Sequence, residues 1–171
     1  VRSLATAARG ARVETAGGLV WRRTQDDLLV SPGEPTTLQA RSELPDTCVP
    51  LNVPGETQIP GWHVTARMID VADCADAGRF VGCLNADVVD TELCVRKRRP
   101  GDRFQPLGMS ADKRLQDFMV DEKVPEEIRD SVPLVCVGGC IVWVVGWRIA
   151  EWGRIMPDAD LVLRLDFKPV P

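Results

Sequence analysis

No apolar run in the sequence approaches the ~20 residues that a membrane-spanning helix needs; its longest candidate, Cys140 to Val145, has the length of a single strand. There is one histidine, His63, and no Cys-x-x-Cys pair among six cysteines. A tetrahedral zinc set would have to be assembled from thiolates at irregular spacings, so no metal site is expected. Nor is there a Ser/His/Asp or Cys/His arrangement to activate a nucleophile. His63 stands isolated in a strand-like run, where a surface or internally satisfied role is expected. Gly138-Gly139 lacks the following lysine and helix signal of a phosphate cradle. The first residues, VRSLATAARGARVE, carry basic side chains but no apolar stretch, which excludes a signal peptide. They open on Val1 rather than Met, and the expectation is a piece of a longer protein. No internal repeat or low-complexity tract is present.

What remains is an ordinary globular composition: 171 residues, 44% hydrophobic and 27% charged, enough to bury one core or two small ones joined tightly. The net charge of −4 argues against a protein that coats nucleic acid indiscriminately. The charge is unevenly spread. Between Arg96 and Arg103 the chain reads RKRRPGDR, five basic side chains and one acid. Asp70, Asp73, Asp76, Asp87, Asp90 and Glu92 balance it upstream. A basic spot on an acidic chain points to a local anionic partner rather than to bulk electrostatics.

Cys48, Cys74, Cys83, Cys94, Cys136 and Cys140 are expected to be reduced structural residues of a cytosolic protein, since a chain of this size does not depend on staples. Cys136 and Cys140 flank Gly138-Gly139 between two apolar runs. That spacing predicts neighbouring strands joined by a tight turn, with both thiols as small core residues.

Leu19 to Arg23 and Leu28 to Ser31 read as short strands around a polar turn at Gln25-Asp26-Asp27. Dense proline and glycine from Pro32 to Gly61 then favour short extended pieces over helices. WHVTARMID alternates, with Trp62, Val64, Ala66 and Met68 on one face, the mark of a half-buried strand. Arg79 to Val89 and Leu93 to Arg96 continue the β character. Near Met109 the period changes. Leu115, Phe118 and Met119 fall at i, i+3 and i+4, one stripe of a helix, with Ser110 or Asp112 as its cap. Pro125 opens a second short helix, PEEIRDSV, whose acids lie early and Arg129 late, as the helix dipole favours. Strands return at Leu134 to Val137, Ile141 to Trp147 and Leu161 to Phe167, the last alternating Leu161, Leu163, Leu165 and Phe167. The expected class is α+β, mostly antiparallel or mixed β with a two-helix insertion. A boundary near residue 90 divides it into 1–90, a connecting and substrate-binding region, and 91–171.

Between Val95 and Ile149 core-building alone does not explain the residue choices. VRKRRPGDRFQPLG concentrates guanidinium groups around Pro100-Gly101 and Pro106-Leu107-Gly108. Arginine suits phosphate because its planar fork offers paired donors and never loses its charge. Adjacent glycine lets the backbone approach an anion. In an extended strand Arg96 and Arg98 would share one face, Lys97 and Arg99 the other. Lys113, Arg114, Lys123 and Arg129 extend the basic surface. The alternative is local pairing, since nine basic and eight acidic residues lie between Arg96 and Asp130. Composition leaves both open. Asp102, Asp117 and Asp121 are expected as buried orienters or caps rather than catalytic acids, and Phe104 and Phe118 as core.

The residues Arg96, Arg98, Gly101, Asp102, Arg103, Phe104, Pro106 and Gly108 are followed by Lys113, Leu115, Asp117, Phe118, Asp121, Lys123, Val124 and Pro125. Arg129, Asp130, Pro133, Leu134, Val135, Trp143, Val144, Gly146, Arg148 and Ile149 complete the series. Together they resemble, in order and spacing, the C-terminal domain of the tRNA(Ile)-lysidine synthetase family. The turn Leu51-Asn52-Val53-Pro54-Gly55 before Trp62 resembles the region preceding that domain. The resemblance implies a β-rich tRNA-binding module related to one in phenylalanyl-tRNA synthetase. It implies a parent ligase that attaches lysine to the wobble cytidine of an isoleucine tRNA, using ATP with magnesium in a separate N-terminal catalytic domain. This part would hold the acceptor stem through Arg96, Arg98, Arg99, Arg103, Lys113, Arg114, Lys123, Arg129 and Arg148. That agrees with how A-form RNA is gripped, mainly through phosphates, 2′-hydroxyls and shape. The partners implied are tRNA and the catalytic domain, in the cytoplasm and away from membranes, and a homodimer of the full-length enzyme is compatible with the resemblance. The family's Ser-Gly-Gly-x-Asp-Ser loop does not occur in this sequence, so the chain alone is expected to be catalytically silent, with no cofactor of its own.

Overall fold

Alternation of apolar and polar side chains seats most of the chain in antiparallel sheets. A computed structural model describes residues 12–14, 19–23, 28–32 and 90 as backbone alone, and residues 44–74, 78–89 and 92–170 in full. The chain divides into two compact units, Val1–Gln39 and Ala40–Pro171. In the first, β1 (Arg12–Glu14), β2 (Leu19–Arg23) and β3 (Leu28–Pro32) form a three-stranded antiparallel sheet. The turn expected at Gln25-Asp26-Asp27 lies outside the described residues.

In the second unit one sheet has the order β5-β6-β14-β7, from β5 (Gly55–Ile59), β6 (Trp62–Asp70), β7 (Val81–Asn85) and β14 (Leu161–Pro169). The other runs β13-β12-β11-β8-β4, from β4 (Val49–Pro50), β8 (Leu93–Arg96), β11 (Leu134–Val137), β12 (Cys140–Val144) and β13 (Arg148–Ile149). A ribbon of β9 (Arg103–Phe104) and β10 (Lys113–Arg114) leads into the helix α1 (Leu115–Asp121). Strands from both sides of residue 90 share both larger sheets: β4 pairs with β8, and β14 with β7. The division placed there from the sequence follows no break between them.

The core forms where the two sheets meet. Trp62, Val64 and Ala66 are buried on one face of β6, as their alternation requires, and Leu163, Leu165 and Phe167 are buried on β14. Phe167 meets Trp62 edge-on with centroids 5.8 Å apart, and Trp143 of β12 at 5.4 Å. It thereby joins both sheets. Gly82 lies against the Trp143 ring, where a Cβ would come within 3.0 Å. Leu161, expected inside, is 48% exposed because it opens the strand at the sheet's margin.

Several local expectations change for physical reasons. The helix stripe Leu115, Phe118 and Met119 is buried as expected, but neither Ser110 nor Asp112 caps it. Arg114 holds the cap position in an extended conformation, and the Leu115 N–H donates to the Asp102 carbonyl at 2.9 Å. Ribbon pairing thus replaces a side-chain cap. The second helix is a 3-10 segment, Glu126–Ser131. The strand expected through Trp147 stops at Val144, where Gly146 takes φ 83° in a turn. Cys136 is buried but Cys140, beside the hairpin turn, is exposed. The all-reduced reading also fails: Cys48 is joined to Cys94 and Cys74 to Cys83, with Cα separations of 5.4 and 6.5 Å that a disulfide can span. These pairs meet through sheet topology, which cysteine spacing does not reveal.

Candidate functional site

The basic segment leaves β8 at Arg96, turns at Pro100-Gly101 and re-enters the ribbon at Arg103. Gly101 has φ 86° with open space around its missing Cβ, so backbone conformation rather than crowding calls for glycine there. The turn and the start of α1 enclose a surface groove of about 550 Å³ lined by Arg98, Arg99, Pro100, Gly101, Asp102, Arg103, Arg114, Leu115, Gln116 and Asp130. Beneath the ribbon Phe104 and Phe118 are buried edge to face, 4.9 Å between centroids, in the core role expected of them.

Of the arginines and lysines singled out in the sequence, the groove gathers Arg98, Arg99, Arg103 and Arg114. Arg98 Nε donates to Asp130 Oδ1 at 2.6 Å. Arg99 donates to the Asp46 carbonyl at 2.6 Å and Arg103 to the Asp112 carbonyl at 3.3 Å. Arg114 is exposed. Among the described residues, no carboxylate lies within ion-pairing distance of Arg99, Arg103 or Arg114. Three guanidinium groups without such a pair favour an anion at this spot.

The other residues sit elsewhere. Arg96, expected among the tRNA contacts and on one face with Arg98, is 3% exposed and absent from the groove lining. Its Nη1 and Nη2 donate to the two Asp102 carboxylate oxygens at 2.8 and 2.9 Å. Lys113 pairs with Asp121, and Arg148 with Glu122 at 3.1 Å. Arg129 donates to the Val124 carbonyl at 3.0 Å. Lys123 is exposed and follows α1 in the left-handed region, φ 54°. Asp102 is the orienter expected of it, whereas Asp117 and Asp121 are exposed. Asp46 had no signal in the sequence: it pairs with Lys97 at 2.8 Å from some fifty positions upstream. Gln116 and Asp130 also line the groove without having been singled out for it. His63, half-buried in β6, meets Glu56 at 3.2 Å. No cluster of three or more metal-ligating side chains occurs among the described residues, and no described helix is long and apolar enough to cross a membrane.

Burial pushes the Cys136 thiol from its ordinary 9.0 up to about 11, against the attraction of the nearby Arg96. The folded state thus keeps a proton that the unfolded chain gives up first. This stabilisation is complete below pH 9 and is lost as pH rises toward 11, amounting to at most about 2 to 3 kcal/mol. Cys136→Ala should unfold in urea with a flatter pH profile across that window. Parallel profiles for the two proteins would refute the assignment.

Fold and groove together define a β-rich module with an arginine-lined surface groove. Residues 93–165 match the family profile of the TilS substrate C-terminal domain. The chain is similar to the tRNA(Ile)-lysidine synthase of Caldanaerobacter subterraneus subsp. tengcongensis, 38% identical over 120 residues, covering 68% of this chain and 26% of that protein. It is similar to the synthase of Symbiobacterium thermophilum, 43% identical over 113 residues, covering 64% of this chain and 23% of that protein. The chain therefore spans about a quarter of the length of these relatives. A crystal structure of a TILS C-terminal domain superposes with a TM-score of 0.62 at 24% identity, over 73% of this chain and 98% of that one. The fold is shared with it.

Proposed function

We propose that this chain is the tRNA-gripping part of a tRNA(Ile)-lysidine synthase, an ATP-dependent ligase whose chemistry belongs to another domain. One observation carries the reading: Arg99, Arg103 and Arg114 line one groove without a carboxylate partner among the described residues, inside the segment that matches the family. Guanidinium forks of this kind suit RNA phosphates, and the acceptor stem, an A-form helix, is the part of tRNA proposed to lie here. ATP and magnesium are assigned to the separate catalytic domain, and the working compartment is the cytoplasm.

Titrating the chain with an isoleucine tRNA transcript at several salt concentrations tests this. Affinity is expected to fall linearly on a log–log plot against salt. Replacing Arg99, Arg103 and Arg114 together by alanine is expected to flatten the slope by about 2 to 3. Salt-independent binding, or a triple variant that binds like the parent, would overturn the reading.

A second reading has its own support. Lys113–Asp121, Arg148–Glu122 and Arg98–Asp130 tie the helical insertion to its surroundings, as in a module that positions a catalytic domain. On that reading the arginine substitutions lower the melting temperature and leave RNA binding alone.

A further inference from the structure

The groove's three arginines without an ion pair among the described residues come from different places: the loop after β8, the first residue of β9 and the residue before α1. One residue, Asp102, connects to all three, through its carboxylate, its backbone and its place in the chain. Both Asp102 carboxylate oxygens take the Arg96 fork, and Oδ2 also accepts the Arg99 backbone N–H at 2.7 Å. Arg96 Nη1 donates in addition to the Lys97 carbonyl at 2.9 Å. The Asp102 backbone continues the pattern: its N–H donates to the Arg99 carbonyl at 3.2 Å, and its carbonyl accepts the Leu115 N–H at 2.9 Å. Arg99 is thus held from both its N–H and its carbonyl, Arg103 is the next residue, and Arg114 precedes a residue pinned to the same point. The two side chains of the pair are 4% and 12% exposed. A buried bidentate pair resists both salt and rotation, unlike the Lys97–Asp46 contact, whose aspartate is 82% exposed.

We infer that Asp102, locked by Arg96, is a positioning residue for RNA binding: it sets the spacing of Arg99, Arg103 and Arg114, while Arg96 lies outside the groove lining. This rests on the groove taking the tRNA backbone, as proposed above. It also gives Arg96 a role different from the direct contact read from the sequence.

The sign of one substitution separates positioning from charge. Asp102→Asn removes a negative charge beside the groove, so simple electrostatics calls for tighter tRNA binding. Positioning calls for weaker binding, by about tenfold or more, since the loop no longer holds its donors at matched spacing. Glu126→Gln, an exposed acid outside the groove, supplies the charge-matched control. The titration uses the full chain and the isoleucine tRNA transcript. Amide hydrogen exchange at Arg99 and Leu115 is followed on the same samples without RNA. Weaker binding together with faster exchange at both amides supports the inference. Binding equal to or tighter than the parent, or unchanged exchange, overturns it. Should Asp102→Asn fold poorly, the double variant Arg96→Met with Asp102→Leu replaces the pair by apolar side chains of similar bulk, an exchange that buried pairs tolerate. That variant is expected to melt cooperatively and bind tRNA weakly, and retained affinity would overturn the inference. If the parent chain itself fails to bind tRNA while the amides still loosen in Asp102→Asn, the functional reading fails and the loop-setting role stands alone.

Discussion

Phe167→Ala should lower the unfolding free energy by about 3 to 5 kcal/mol, a large part of the 5 to 15 kcal/mol typical of a domain. The ring is 3% exposed and sits between two tryptophans that belong to different sheets. Truncation removes its burial and both edge-to-face contacts. It also leaves a void that neither sheet can close without shifting: Gly82 already brings β7 against Trp143, and Phe80 holds Trp62 from another side at 5.1 Å. Denaturant titration followed by tryptophan fluorescence measures the loss and reports both indoles. A midpoint shift equivalent to less than 1 kcal/mol would mean that the sheets are not joined through this ring.

Gly153→Ala should destabilise by about 1 to 3 kcal/mol through overpacking. Gly153 is buried at the end of the 3-10 turn Glu151–Gly153. A Cβ there would lie 2.7 Å from Val142 Cγ2 and 3.2 Å from Ile149 Cγ2, with a Leu84 methyl at 3.5 Å. All three are branched side chains on strands, and Val142, the nearest, is fully buried and cannot swing into solvent. The backbone must give way instead. Thermal melts of the parent and variant at matched concentration decide the matter. An unchanged midpoint would show that the turn retreats freely, and Val142→Ala placed in the Gly153→Ala background should recover part of the loss.

What the sequence showed and what it hid follow from the range of the interactions involved. Strand alternation in WHVTARMID and the Leu115-Phe118-Met119 stripe depend on neighbours a few residues apart, and both were readable. The basic turn was readable for the same reason: its arginines, proline and glycine are contiguous. Arg96 was not. A charged residue closing an apolar strand reads as solvent-facing until the loop folds back and brings Asp102 to it. The helix cap was missed because β9–β10 pairing supplies what a side chain usually does. Asp46 and the two disulfides were missed because their partners arrive through sheet pairing across nine to fifty-three residues. The exposure of Cys140 depends on where a hairpin turn meets water, which spacing alone does not fix.

The place of β14 bears on how the chain comes together in time. Its neighbours β6 and β7 are made early, yet Ala66 waits for Leu165 and Leu84 for Leu163. Everything from β8 to β13, groove included, is synthesised in between. The four-stranded sheet therefore closes like a clasp around a segment that must already be present. A chain halted before Leu161 has β6 and β7 without the strand that joins them, so two edges lie open to mispairing. For the same reason a cut at residue 93, where the family match begins, would separate β14 from both of its neighbours. The smallest piece that preserves this closure starts upstream of β5.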